Sequence, residues 1–188
     1  MDSFVSQLPN MYSFDRDRQL QSRTIFLRQT IDDRVANEAI AQSIYLDLAD
    51  PDTPIQLYIN TSSGSIAAGL AIYDTIQSLK VEVQTICMGV ADGVGSLLLA
   101  SGSPGNRSAQ PHARIRLAQA DEMTLTSGTA REIESAARAV FRQRQILYEL
   151  YAQATGRASE TIAEDTAKRE FMSATEAQAY GLIDFLHG

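Results

Sequence analysis

Short apolar runs that alternate with helix-like patterns constrain the fold of this 188-residue chain more than any other feature of its sequence. The run 55–60 precedes a turn and a helical pattern over 66–76. The run 81–88 precedes a second turn and an apolar helical run over 93–101. Because strand, turn and helix repeat in this order, the sequence predicts right-handed βαβ crossovers and an α/β fold.

The patterns outside these two units complete a single domain without an internal repeat. Residues 129–155 carry apolar side chains at a spacing of three and four, and Gly156 is placed to end that helix. A helix of this length is expected to project from the body and to need a partner for its apolar stripe. Further elements are predicted as strands at 23–27, 114–118 and 182–185, a helix beginning at Asp32, and a helix opened by the capping box 173–176.

The second turn, 90-VADGVG-95, is built from small residues between an apolar strand and an apolar helix. That arrangement is typical of a nucleophile elbow, a sharp turn that exposes a reactive hydroxyl above a sheet. Where an elbow carries its serine, this turn reads Asp92-Gly93-Val94. Asp92 is interpreted as a turn residue, because no base accompanies it and aspartate tolerates left-handed backbone.

Composition excludes several classes of protein. A net charge of −7 and a pI near 4.8 argue against a nucleic-acid surface, which needs clustered cations. No apolar stretch is long enough to span a bilayer, and the N-terminus does not have the pattern of a signal peptide. Cys87 lies in an apolar run and is expected to be buried and inert. With only His112 and His187 in the chain, we expect no metal site and no cofactor.

Several stretches taken together resemble the subunits of the Clp peptidase core, the ClpP family. They run in order along nearly the whole chain and comprise 58–60 with Gly64, 71–75, 85–89, 102–107, 111–119 and 173–184. The resemblance implies a single-domain ClpP/crotonase-like spiral of βαβ units with a protruding handle helix. It divides the chain into an irregular axial segment at 1–22 and a domain at 23–188, with a handle strand and helix at about 120–155.

The resemblance also identifies the positions at which active members of the family carry their Ser-His-Asp triad. These positions fall on Gly93, Ala118 and Arg169, with Glu170 as the acid if the register shifts by one residue. The serine mechanism needs a hydroxyl nucleophile, an imidazole base and an orienting carboxylate. We therefore expect the chain not to be an enzyme, and to be a non-catalytic paralogue of the ClpR type.

Two further sets of residues match the family by position. Gly64 and Val94 correspond to the residues whose amides form the oxyanion hole, although a turn that needs a positive φ is a simpler reason for a glycine at 64. Tyr58, Ile86 and Met88 match the apolar lining of the pocket that docks an unfoldase.

Two segments depart from the family pattern near these sites. Ser108 and Gln110 fall where relatives usually carry large apolar groups, so docking of an unfoldase is expected to be weaker at this subunit, or absent. The segment 120–128 is about two residues longer and bulkier than the glycine-containing segment along which relatives bind peptide.

The function implied by the resemblance is that of a proteolytically inactive structural or regulatory subunit of an ATP-dependent Clp protease core. Its expected partners are active ClpP-type subunits in a mixed heptameric ring and double-ring tetradecamer, with an AAA+ unfoldase reached through those partners and neither nucleic acid nor membrane. The expected location is the bacterial cytoplasm, or the plastid stroma if a transit peptide has been removed. An alternative is an enzyme with a different acyl-transfer or acyl-CoA chemistry on the same fold, for which Asp92 is the candidate carboxylate. A second alternative is a homo-oligomeric binding module that titrates the unfoldase.

Overall fold

The computed structural model describes residues 18–120 and 128–187, in which strands and helices alternate along most of the chain. The strands are β1 (Thr24–Leu27), β2 (Ile55–Thr61), β3 (Val83–Asp92), β4 (Arg107–Ala109), β5 (Arg114–Arg116), β6 (Met172–Ser173) and β7 (Phe185–Leu186). The helices are α1 (Asp33–Ala49), α2 (Ile66–Ser78), α3 (Val94–Ala100), α4 (Ala130–Thr155), α5 (Ser159–Lys168) and α6 (Ala174–Tyr180). Most of the predicted N-terminal segment, and the residues 121–127 of the predicted handle strand, lie outside the described residues.

A mixed sheet of seven strands organises the described part of the chain, and it confirms the expected single-domain α/β fold. The strands β1, β2, β3, β4 and β7 are parallel neighbours in this order. β3 has two partners on one side: 85–87 pair with β4, and 90–92 pair in parallel with β5. β6 adds an antiparallel pair to β5. The carboxyl end of β3 therefore lies among β2, β5 and the helix that follows it.

The helices α1 and α2 begin at side-chain caps and bury one face each. The Asp32 carboxylate accepts a hydrogen bond from the Val35 N–H, and the Ser65 hydroxyl accepts one from the Ala68 N–H, so α1 and α2 start where polar residues follow a strand or turn. The helix α3 differs because all seven of its residues are buried. A fully buried helix whose only polar side chain is that of Ser96 fixes the turn from which it starts.

The helix α4 is the longest element, with 26 residues, and only Leu147 and Tyr151 among them are fully buried. It opens with a capping box between Thr129 and Glu132 and ends at Gly156, whose φ of 72° is left-handed. The helix predicted over 129–155 and its glycine cap are therefore confirmed. Within the described ranges, no helix is both long and apolar enough to cross a membrane.

Candidate functional site

The turn between β3 and α3 has the backbone of a sharp strand-to-helix elbow. Gly93 lies between Asp92, the last residue of β3, and Val94, the first of α3, with φ 57° and ψ −129°. Residues with a side chain rarely adopt this backbone conformation, which glycine reaches without a steric penalty. A Cβ added at Gly93 would meet no other heavy atom of the described chain within 4 Å. The elbow therefore combines an unusual backbone with open space where a side chain would stand.

A buried hydroxyl network lies beneath this elbow. The Ser96 hydroxyl donates to the Gly93 carbonyl oxygen at 2.9 Å and lies 2.7 Å from the Tyr151 hydroxyl. The Tyr151 oxygen accepts a hydrogen bond from the Ala118 N–H at 2.9 Å. Burial raises the pKa of Tyr151 to about 12, against the opposing effect of the hydrogen bonds to Ser96 and Ala118, so the phenol is neutral. The structure thus connects the positions 93 and 118, which sequence reasoning had singled out separately.

An ion pair occupies the next position along the same two strands. The Arg116 guanidinium donates to both carboxylate oxygens of Asp92, at 2.8 and 2.6 Å, and the two residues are register partners of β3 and β5. The hydrogen bonds to Asp92 raise the pKa of Arg116 further above its usual value. Because the Asp92 carboxylate is bidentately paired and only 9 % exposed, it is held as an ion pair rather than presented as a free nucleophile or base.

The segment that contains the predicted acid position runs alongside β5. Phe171 precedes β6, and two guanidinium groups contact its ring: the Arg114 Cζ lies 4.3 Å from the ring centroid and the Arg116 Cζ lies 4.5 Å from it. Arg169 ends α5 with a left-handed φ of 56°, and Glu170 follows it. The assignment of Arg169 or Glu170 to the acid position stays a prediction, as do the assignments of Gly93 and Ala118.

Gly64 and Val94 lie in contact at the elbow. A Cβ added at Gly64 would come within 2.7 Å of the Val94 Cγ2 and 2.8 Å of the Ile31 Cβ. The φ of Gly64 is not positive, so the predicted reason for glycine at this position is wrong. The physical reason is the close approach of Val94 and Ile31. The predicted pair is thus adjacent, and its role as an oxyanion hole stays a prediction.

The three residues predicted to line a docking pocket share one region of the sheet. Tyr58 and Ile86 are register partners of β2 and β3, and Met88 lies two residues further along β3. The Phe26 ring stacks on that of Tyr58 at 5.1 Å. Ser108 pairs with Ile86 on the other side, where it is buried and donates to the Thr85 carbonyl oxygen. A polar residue therefore interrupts the apolar row, and the docking role stays a prediction.

Sequence reasoning missed the two interactions that define the elbow. By sequence alone, Ser96 has the pattern of an ordinary packing or capping residue, and Tyr151 belongs to the apolar stripe of the helix predicted over 129–155. Their contact joins residues 55 positions apart, so no local spacing in the sequence predicts it. The pairing of Asp92 with Arg116 depends on the parallel register of β3 and β5, which the alternation of elements does not specify.

A comparison with known families gives a match that covers nearly the whole chain. The model of the Clp protease family matches residues 10–187. This is a serine peptidase family, and the match overturns the prediction that the chain is not an enzyme. That prediction rested on three substituted positions, whereas the whole-chain match points to a protease family.

Proposed function

Because the chain belongs to the Clp protease family, we propose that it acts as a structural and regulatory subunit of a Clp protease core. Members of this family usually assemble into rings with other Clp subunits. In the proposed assembly, ClpP-type subunits with a Ser-His-Asp triad occupy a mixed heptameric ring, and two rings form a tetradecamer. The chain would contribute to proteolysis through the assembled core.

The observation that carries this proposal is the elbow itself. Gly93 has the backbone of a nucleophile elbow and open space above it, but glycine supplies no hydroxyl. The Ser96 hydroxyl beneath the elbow is buried and donates to the Gly93 carbonyl oxygen. A mixed ring suits this arrangement, because neighbouring subunits bring the serine chemistry of the family.

Exposed apolar side chains on two helices support an assembled state. On α1, Ile44, Tyr45 and Leu48 are 44, 61 and 79 % exposed. On α4, Phe141 is 62 % exposed in the half of the helix that makes the fewest core contacts. Clusters of large apolar groups on a surface mark sites where another protein binds, since their burial is favourable.

The proposal includes an unfoldase that docks mainly through the partner subunits. Tyr58, Ile86 and Met88 give this chain an apolar region on the sheet, but the polar Ser108 lies beside Ile86. Since Ser108 is buried and its hydroxyl donates to the Thr85 carbonyl oxygen, it offers a docked loop none of the apolar surface that a large apolar side chain there would add. Docking at this subunit would therefore be weaker than at a partner with large apolar groups there.

The test is to co-express the tagged chain with a ClpP-type subunit from the same genome and to measure mass and peptidase activity. We expect native mass spectrometry to find mixed rings, and a fluorophosphonate probe to label the serine of the partner. Phe141→Glu should reduce entry into the ring while circular dichroism stays unchanged, and Glu134→Gln on the same exposed half serves as the matched control.

Two outcomes would contradict the proposal. One is a chain that never enters a mixed ring under conditions in which the partner assembles alone. The other is a homo-oligomer of this chain that hydrolyses peptides or thioesters by itself, which would favour a self-sufficient enzyme on this fold.

A further inference from the structure

The hydrogen bonds around Tyr151 have only one consistent set of donors and acceptors. The Ala118 N–H donates to the Tyr151 oxygen, and the Ser96 hydroxyl donates to the Gly93 carbonyl oxygen. Since the Ser96 hydrogen is committed to Gly93, the Tyr151 hydroxyl must donate to the Ser96 oxygen across their 2.7 Å separation. The result is a directed chain from the end of β5, through α4, to the elbow.

The Gly93 carbonyl that ends this chain belongs to the same planar peptide unit as the Val94 N–H. Fixing the oxygen of that unit therefore fixes the direction of the Val94 amide, in a residue whose side chain lies against Gly64. The Ser96 N–H also donates to the Gly93 oxygen, at 3.0 Å, so the carbonyl is held from two sides. The orientation of this amide is thus set by groups behind the elbow.

Tyr151 brings α4 into this arrangement at a buried point. It is 0 % exposed and is one of the two fully buried residues of a helix whose first half is mostly exposed. Its hydroxyl is the only part of the ring that can form hydrogen bonds, and both of its partners are backbone or side-chain groups of the elbow region. Two of the predicted triad positions, Gly93 and Ala118, take part in these bonds through their backbone groups.

We infer that Tyr151 is a positioning residue whose hydroxyl locks the Gly93–Val94 peptide and the Ala118 amide to α4, so that the elbow and this helix move as one unit. The inference does not depend on the composition of any ring, because every contact lies within one chain. It assigns to Tyr151 a role at the elbow, in addition to its packing in the core.

The test is amide hydrogen exchange, resolved by residue with NMR, in Tyr151→Phe, which keeps the ring and removes the hydroxyl. Without its acceptor the Ala118 amide should exchange about tenfold faster, and the Ser96 amide should also accelerate. Amides of β2, such as that of Leu57, should keep their rates. Tyr148→Phe is the matched control, because Tyr148 lies one turn earlier on α4 and is half-buried.

Ser96→Ala separates the two ends of the chain of bonds. It should accelerate exchange at the elbow but leave Ala118 protected, because the Tyr151 oxygen still accepts from that amide. The double variant should add little at the elbow beyond the larger single effect. Equal acceleration of all amides in Tyr151→Phe, including those of β2, would reduce Tyr151 to a packing residue and overturn the inference. Unchanged exchange at Ala118 would overturn it as well.

Discussion

Glycines at the candidate site meet two different physical requirements. Gly93 needs its φ of 57°, and the space around it is open. Gly64 and Gly95 have ordinary φ values but lie against neighbours, since a Cβ on Gly95 would come within 2.6 Å of the Thr61 Cγ2. A substitution at Gly93 therefore strains the backbone, whereas a substitution at Gly64 or Gly95 forces neighbouring groups apart.

This difference leads to a prediction for Gly93→Ala. The variant should fold and lose about 1–3 kcal/mol of unfolding free energy, the usual cost of a sparsely populated backbone conformation. Gly156→Ala is the matched control, because its φ is 72° with ψ 10° and its surroundings are also open. That left-handed helical position should cost about 1–2 kcal/mol. Urea denaturation measures both, and a larger loss at Gly156 would contradict the prediction.

A second residue-scale prediction concerns the ion pair of Arg107 with Asp184. Burial opposes ionisation of Asp184, but the hydrogen bonds from the side chain and backbone of Arg107 outweigh it, and the pKa of Asp184 lies below its ordinary value of 3.8. Since the pKa is depressed in the folded state, the stabilisation is complete above the unfolded pKa. It is lost as the pH falls from about 4 through the folded pKa.

The measurement is the unfolding free energy between pH 6 and pH 2.5 in the wild type and in Asp184→Asn. The variant should be less stable at pH 6, and its stability should fall less steeply in acid. Glu134→Gln is the control. The Arg138 and Glu134 side chains are 71 and 63 % exposed, so their ion pair contributes little to stability. Identical acid slopes for the wild type and Asp184→Asn would show that this pair does not control the pH dependence.

At the scale of elements, α4 is stabilised differently along its length. Its last third is held by Leu147 and Tyr151, and the Arg107 guanidinium donates to the Ala154 carbonyl oxygen near its end. Its first half has mostly exposed side chains, so helix formation there depends on local interactions such as the capping box of Thr129 and Glu132. The short helix α6 has the same capping box, but it begins with the buried Ala174.

The two capping boxes provide a matched pair of variants. Thr129→Ala should weaken the local helix by about 1 kcal/mol and accelerate exchange of the first amides of α4, with little change in global stability. Ser173→Ala should instead lower the global unfolding free energy by about 1 kcal/mol, because α6 is packed on the core. Hydrogen exchange and urea denaturation distinguish the two effects, and a global loss from Thr129→Ala would contradict this account.

Elements with strong local signals were predictable from sequence, and elements made by tertiary pairing were not. The caps at Asp32 and Ser173 and the glycine at 156 all lie where the helices begin or end. The predicted strand over 81–88 was too short, because β3 continues to Asp92 through Gly89, whose φ is 89°. The missed elements β4, α5 and β6 are short or weakly patterned, and β6 consists of two residues defined by pairing with β5. At the site, the residue types alone predict an elbow. The hydrogen bonds of Tyr151 and the ion pair of Arg116 with Asp92 can be identified only once the fold is known.

For the whole molecule, the sheet and its helices enclose one continuous core. Cys87 lies in its centre on β3, with 0 % exposure, between β2 and β4. The expected burial of this residue is confirmed. Burial raises the pKa of the Cys87 thiol to about 12, so the thiol stays protonated at neutral pH. Its reaction with a reagent in solution therefore requires the core to open.

We therefore predict that chemical labelling of the Cys87 thiol measures global unfolding. The native protein should not react with a disulfide reagent on the timescale of minutes, and labelling should follow the denaturant dependence of global unfolding. Ser78→Cys in a Cys87→Ala background is the control, because position 78 is exposed at the end of α2 and should react at once. Rapid labelling of native Cys87 would reveal an opening of the sheet smaller than global unfolding.

The uneven burial of α4 has a mechanical consequence. A helix of 26 residues is about 39 Å long, and its exposed tip lies about 25 Å from the anchor at Leu147. A rotation of about 5° at the anchor would then displace the tip by about 2 Å, because the displacement is the product of this length and the angle in radians. A load applied at the tip exerts torque on the same anchor, next to Tyr151 and the elbow. The helix is therefore a lever arm whose fulcrum lies at the candidate site.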